Sequence, residues 1–519
     1  MPPFFQFRLW LRESPPTERL LAAGALSVAL LFIALALVPV ARNHDAAGTS
    51  LGIAGSQATS ATTTPAGERA AAVDGATDSP ASPGAAVSGS TATRSAARGS
   101  TGVASGGGAT ATAAGTAESC AGLTASGPGI TPTEVLMDVS TLSLAGPIGN
   151  SQFDIRPDLH QIATALKDEV NATGGLACGR KLRINIYDVN PLDTNDAQAK
   201  CLQMVADKPY IVMDFGGYLG QATRACFVQN KLPIISSVAF DTAEFRSAFP
   251  YVVSPRNFAE DQARDAIFGL KDRGFFAAPK FQKLGLLVEN CIPAVAKKVD
   301  DYLARAGIKA AQISKFTLDC NPAAANNQIA QAVLQHKADG ASHVILATAN
   351  NNAQTYTRLA NSQGFHPTYG VSDLGEGVTP SGAKNWDASF DGAIGITSTH
   401  TGETFSGMRN AKVDRCDQIM KRHGVAGFTS EAKDLALLAF CDLYDFMTAA
   451  INKAGKNPVR TSFATGITQI GEFKTAYAGD AVFNRPDKYT GGDFQRAIQY
   501  HADCVCWKVL DAFKPAYPE

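Results

Sequence analysis

The sequence carries almost no net charge, few long apolar runs and, over one long stretch, almost nothing from which a core could be built. Of its 519 residues, 46 are Lys or Arg and 47 are Asp or Glu, giving a formal charge of −1. Binding nucleic acid through bulk charge needs a large positive excess, so that class is excluded. Only one segment is apolar for long enough to span a bilayer, so the chain is not polytopic. From Ala46 to Ser119 there is no aromatic residue, and 58 of 74 residues are Ala, Gly, Ser or Thr. Such a stretch has too little large apolar surface to offset the entropy of ordering it. All 10 cysteines lie beyond it. At ~150 residues per domain the length allows about three domains, but the first quarter cannot be one of them.

Catalytic signatures are missing as well. No G-x-S-x-G stands near a plausible His and acid in the part of the chain able to fold. The 8 histidines are scattered, with no H-E-x-x-H and no Cys/His zinc spacing. Cys504-Val505-Cys506 is C-x-C, which is neither the thioredoxin-like C-x-x-C nor, without a third ligand, a metal site. Gly216-Gly217 follows an apolar run but lacks the spacing of a dinucleotide or P-loop fingerprint; it reads as close backbone approach at a strand-to-helix turn. We therefore expect a non-enzyme without metal or cofactor.

Residues 20–40, LLAAGALSVALLFIALALVPV, carry no charge and match a ~30 Å hydrocarbon core. Arg8, Arg12 and Arg19 precede this segment and only Arg42 follows closely, which places the 19-residue N-terminus in the cytoplasm and the rest outside. A cleaved signal peptide is the alternative, although its apolar region is normally only ~7–15 residues. Residues 41–127 then read as a disordered linker and 128–519 as the folded domain.

In that domain strands and helices alternate. Apolar runs at 135–139, 181–187, 210–215 and 232–236 read as strands, and 158–172, 196–205 and 219–230 read as helices. The rhythm repeats with strands at 283–288, 310–317 and 343–347 and helices at 294–306, 323–337 and 353–363. Strands separated by helices of ~10–15 residues imply βαβ units and parallel sheets. The expectation is α/β, with two doubly wound lobes whose functional loops follow the carboxyl ends of the strands.

Three segments extend this reading. They are Gly129-Ile-Thr-Pro-Thr-Glu-Val135 leading to Leu144-Ala-Gly-Pro147, then Val170-Asn-Ala-Thr-Gly-Gly-Leu176, then Gly179-Arg-Lys-Leu-Arg-Ile-Asn-Ile-Tyr-Asp188. In this order they resemble the type I periplasmic binding proteins of the leucine/isoleucine/valine-binding class, the extracytoplasmic substrate-binding proteins of ABC importers. The resemblance covers about 130–515. It implies one lobe at about 130–253 with 400–475 and another at about 254–399 with 476–519, joined by a three-segment hinge. It also implies a small-molecule ligand held in the cleft, and a permease as partner.

Carried over loop by loop, the resemblance puts ligand contacts at Gly217, Tyr218 and Leu219, at Ala239 and Phe240, at Asn290 and Ile292, at Asn350 and Asn351, and at Asp373 or Glu376. Asn352 reads as either part of that contact loop or a helix cap. The family's carboxylate-holding hydroxyl position matches Phe240, and Tyr218 adds a second ring. An amide or aromatic metabolite is therefore expected as readily as an amino acid. A membrane-anchored sensor of the same fold and an exported hydrolase are the alternatives.

An even cysteine count in an exported chain implies disulfides, each worth about 2–4 kcal/mol. The resemblance pairs Cys201 with Cys226. Cys291 and Cys320 each follow a strand of the second lobe, and Cys416 and Cys441 lie on consecutive helical runs. Cys120, Cys178, Cys504 and Cys506 remain, as 120–178 with 504–506 or crossed.

Overall fold

The computed structural model describes residues 120–142, 156–190, 193–215, 221–237, 239, 241–248, 250–290, 293–319, 322–486 and 488–518. The apolar segment 20–40 and the linker up to residue 119 lie outside them. Among the described residues no helix is long and apolar enough to cross a membrane.

The first run comprises β1 (Glu134–Leu142), α1 (Leu159–Ala172), β2 (Lys181–Val189), α2 (Thr194–Asp207), β3 (Ile211–Asp214), α3 (Gln221–Gln229), β4 (Ile234–Ser236), α4 (Thr242–Ala248) and β5 (Val252–Val253). The second comprises α5 (Ala259–Asp272), β6 (Leu284–Glu289), α6 (Pro293–Arg305), β7 (Ile313–Leu318), α7 (Pro322–Ala338), β8 (His343–Ala347), α8 (Asn350–Ser362), β9 (Thr368–Ser372) and β10 (Ile394–Thr397). Three helices follow, α9 (Ala411–Arg422), α10 (Glu431–Lys453) and α11 (Arg460–Ile467). The chain ends with β11 (Gly471–Phe473), β12 (Ala481–Phe483), β13 (Phe494–His501), β14 (Cys506–Val509) and β15 (Lys514–Pro515).

Local sequence explains the elements. Val135, Met137 and Val139 alternate along β1 and are fully buried, as a strand's period of two requires. Leu159, Ile162, Ala163 and Leu166 form the buried stripe of α1, the spacing of one helix face. Asp193 caps α2 by accepting the Asn195 amide at 2.9 Å, and Lys208 ends it in a left-handed conformation.

The first sheet has the order β2-β1-β3-β4-β5, and its strand pairs are parallel. The second has the order β14-β13-β10-β9-β8-β6-β7, with β15 on β13. Its strands from β6 to β10 are parallel, but β13 runs antiparallel to β10, and β14 and β15 run antiparallel to β13. The expected parallel sheets are thus present in both lobes, and β13–β15 add an antiparallel edge to the second. The last strands return as a hairpin and need no crossover helix.

One core combines the first sheet with α9–α11 and the β11–β12 hairpin, reaching Phe473, Tyr477 and Phe483. Two further clusters pack either side of the second sheet. The first core therefore extends to Phe483, past residue 475, because the two short strands bury Phe473 and Phe483 against Phe446 of α10. The chain passes between the lobes after β5, after β10 and after β12.

Disulfides join Cys120 to Cys178, Cys201 to Cys226, Cys416 to Cys441 and Cys504 to Cys506. The uncrossed pairing of the last four cysteines is the one formed. Cys291 and Cys320 lie outside the described residues.

Candidate functional site

The strand ends of both lobes are occupied by carboxylates that bind the chain's own donors. Asp214 at the end of β3 accepts the Ser140 hydroxyl at 2.8 Å and the Ser236 hydroxyl at 3.0 Å. Glu289 at the end of β6 accepts the Thr348 hydroxyl, the Ala349 amide at 2.9 Å and the Asn352 side-chain amide at 2.7 Å. Asp373 after β9 accepts the Thr397 hydroxyl at 2.6 Å and both the amide and the hydroxyl of Ser398, at 2.6 and 2.7 Å. Each pins one strand-end loop to its neighbour.

The crossings meet at glycines. A Cβ on Gly491 would stand 1.7 Å from the Pro255 carbonyl oxygen, and one on Gly479 would stand 2.6 Å from that of Ser398. Both lie below any real Cβ contact, so only glycine allows these backbones to touch. Gly491 also donates its amide to the Arg256 carbonyl at 3.1 Å.

Arg256 on the first crossing is buried, with its guanidinium carbon 5.7 Å from the centre of the buried Tyr477 ring. Its Nη1 stands 3.5 Å from Oε1 of Glu376, whose side chain is 43% exposed. Gly375 and Glu376 both adopt positive φ, 66° and 64°, a conformation costly for a residue with a Cβ. Burial pushes the Glu376 carboxyl up, Arg256 pulls it back, and Asp373 pushes it up again.

His400 on the second crossing lies between two acids, with Nδ1 2.8 Å from Glu403 and Nε2 3.1 Å from Asp480. Arg496 of β13 also reaches Glu403, at 3.0 Å, and stacks on Phe513 at 4.1 Å. Burial alone would lower the His400 pKa, but the hydrogen bonds and charges of Asp480 and Glu403 outweigh it and raise it to about 9. Asp442 of α10 accepts three successive amides of the β11–β12 loop, from Ala476 at 2.6 Å and from Tyr477 and Ala478 at 2.8 Å each. One first-lobe carboxylate thus holds the loop that carries Tyr477 under Arg256 and Asp480 against His400.

Of the residues named from sequence, Gly217, Tyr218, Leu219, Phe240 and Ile292 lie outside the described residues. Ala239 is half-buried beyond β4. Asn290 is exposed and donates to Asp319 at 3.1 Å. Asn350, Asn351 and Asn352 are not a loop. They form the first turn of α8, and Ala349 is its N-cap. The helix starts early because Glu289 accepts the Ala349 amide and Asn352. Asn350 accepts from Gln354 at 3.0 Å and packs on Gly382. Asp373 is buried and engaged on both oxygens, whereas Glu376 is half-buried beside Arg256. Sequence reading missed Arg256, His400, Asp442 and Tyr477. Arg256, His400 and Tyr477 stand in short crossings or in a hairpin loop, where no periodicity or motif marks them, and Asp442 is a buried acid within the apolar run of α10. Among the described residues no group of three or more His, Cys, Asp or Glu is placed to hold a metal.

No protein-family model matches the chain, and no curated protein matches it. Solved structures do. A fatty acid ABC transporter substrate-binding protein from Thermomonospora curvata superposes with a TM-score of 0.56 at 14% identity, covering 75% of this chain and 94% of its own. A branched chain amino acid ABC transporter protein from Thermus thermophilus with bound valine gives 0.56 at 11% identity, covering 74% and 97%. A solute-binding protein of an ABC transporter from Rhodopseudomonas palustris, in complex with 3,4-dihydroxy benzoic acid, gives 0.53 at 11%, covering 74% and 98%. Two sheets with separate cores, three glycine-packed crossings and these superpositions lead to one conclusion: the folded part of this chain has the fold of the type I periplasmic binding proteins.

Proposed function

We propose that this protein is an extracytoplasmic solute-binding protein that captures a small ligand between its lobes and delivers it to an ABC importer. The observation that carries the reading is the pair of separately cored lobes joined by three crossings, an arrangement suited to hinge closure of rigid bodies. The superposed structures that share it include a substrate-binding protein and a solute-binding protein of ABC transporters. The disulfides fit an oxidising compartment. Residues 20–40 would anchor the chain, and no chemistry on the ligand is required.

The loops after β3 and β4, with Gly217, Tyr218, Leu219, Ala239 and Phe240, would face the ligand from the first lobe. Asn290, Ile292, Asn350 and Glu376 would face it from the second. An apolar cleft with a few fixed polar groups is the usual form of such a site.

The test is thermal unfolding of the full-length chain in detergent, against a panel of amino acids, amides, aromatic acids, polyamines and short peptides. At a concentration 100-fold above its Kd a true ligand stabilises the fold by about 2.7 kcal/mol. No shift with any member would overturn the reading. The single apolar segment, in place of a lipid-modified cysteine, favours a second reading as a ligand sensor. Co-purification with a kinase instead of a permease would select it.

A further inference from the structure

The β13–β14 hairpin carries a C-x-C pair that solute binding does not use, and its disulfide differs in kind from its neighbours. The bridges Cys120–Cys178, Cys201–Cys226 and Cys416–Cys441 span 58, 25 and 25 residues, whereas Cys504–Cys506 spans 2. A cross-link stabilises a fold largely by restricting the unfolded chain, and the gain grows with the loop it closes. This ring encloses only Val505, so it restricts little. It also holds an unfavourable backbone. Val505 has φ 54°, in the left-handed region where a β-branched residue is an outlier. The hairpin does not depend on the ring. Its strands pair through Ile498–Val509, Gln499–Lys508, Tyr500–Trp507 and His501–Cys506, and Trp507 is buried against Phe390 and Tyr500. The turn is also tied by its own acids. Asp391 accepts the Ala502 amide and Asp503 the Cys504 amide, each at 2.9 Å.

The two sulfurs are unequal. Cys506 is buried, while Cys504 is half-buried beside Val505, which is 44% exposed. A thiolate arriving from solvent therefore reaches Sγ of Cys504 and makes Cys506 the leaving group. Basic side chains ease that departure by favouring the thiolate. His501 stands opposite Cys506 in the register, which sets their Cβ atoms ~4.5–5.5 Å apart. Lys508, two residues on, shares the same face of the strand.

From this geometry we infer that Cys504–Cys506 is a thiol–disulfide exchange site that oxidises the dithiol of a C-x-x-C protein outside the cytoplasm. The partner's first thiolate attacks Sγ of Cys504. A mixed disulfide forms, the Cys504–Cys506 bond breaks, and its electron pair leaves on Cys506. The partner's second thiolate then attacks its own sulfur in the mixed disulfide and releases Cys504. The partner loses two electrons and two protons and becomes a disulfide, and the pair here gains them and becomes two thiols. A monothiol would not complete the reaction, because Cys506 stands next to the mixed disulfide and reverses it. A dithiol brings its second thiolate at high effective concentration. The inference is independent of solute binding.

The test is equilibration of the full-length chain in detergent at pH 7 with increasing dithiothreitol, followed by acid quench, alkylation and peptide mass mapping. Cys504–Cys506 should be half-reduced at about a tenth or less of the concentration that half-reduces Cys201–Cys226 or Cys416–Cys441, with far-UV circular dichroism unchanged. V505G removes the cost of the left-handed residue and should need about fivefold more dithiothreitol. Reduced glutathione at equal thiol concentration should leave the ring mostly closed. A thioredoxin whose resolving cysteine is replaced by serine should be trapped on Cys504. Opening of this ring with or after the two buried bridges, or reduction that unfolds the chain, overturns the inference. So do equal reduction by glutathione, an unaltered midpoint in folded V505G, and a trapped linkage to Cys506 or to neither cysteine. If V505G fails to fold, the order of reduction in the unaltered chain still decides.

Discussion

Replacing Asp442 with alanine should cost the folded state about 3–5 kcal/mol, because it strands three buried amides at once. The amides of Ala476, Tyr477 and Ala478 point at one carboxylate that is 2% exposed. Burial pushes the Asp442 carboxyl up to about 6, and the three amides hold it from rising further. Asparagine keeps one acceptor oxygen in place and should lose less. Urea unfolding followed by far-UV circular dichroism measures the difference through the midpoint. A loss below about 1 kcal/mol would mean that water satisfies the amides in place of the carboxylate. The same substitution should weaken ligand binding, since the freed loop carries Tyr477 beneath Arg256 and Asp480 against His400.

The second large effect is a loss of stability on raising the pH. His400 is raised from an ordinary value of 6.5 to about 9 in the folded protein. A cationic group with a raised folded pKa stabilises fully below its unfolded value and stops doing so as pH rises through its folded value. The contribution of His400 is therefore complete below about pH 6.5 and gone above about pH 9. The groups facing it set the window. Glu403 and Asp480 make it cationic, Arg496 and Lys474 share those acids, and Glu431 takes the amides of Gly402 and Thr404 beside them. Unfolding free energy should fall by on the order of 2–3 kcal/mol between pH 7 and 9.5, with most of that slope absent in H400Q. Equal slopes in the two proteins would show that the His400 cation does not hold the second crossing. At the acid end the sign reverses. Asp480 is lowered to about 2, so its contribution is present above its ordinary 3.8 and disappears as pH falls through 2.

Most of the scaffold was legible in the sequence, and the reason is periodicity. Val135, Met137 and Val139 alternate because one face of β1 packs into the first core, and Leu159, Ile162 and Leu166 recur because one face of α1 packs into the same core. The antiparallel edge was less visible. Along β13 the burial runs through Gln495 and Arg496, polar residues that a strand pattern discounts. The site itself was legible only in part. Glu376 follows the carboxyl end of β9 and could be named from that placement. Arg256, His400, Tyr477 and Asp442 act through partners far away in sequence, such as Asp480 for His400, 80 residues on, and Ala476 for Asp442, 34 residues on. No local pattern encodes such a meeting. The helical start at Asn350 was hidden for a similar reason, since the acceptor that starts α8 early is Glu289, at the end of another strand.

Native mass spectrometry of the full-length chain, released from detergent after incubation with a metabolite extract, tests the central claim most directly. A chain that holds a solute between its lobes should carry a single low-mass adduct in 1:1 stoichiometry, shed on collisional activation. A bare chain in every charge state, with the panel of acids and amides equally silent, would contradict the account.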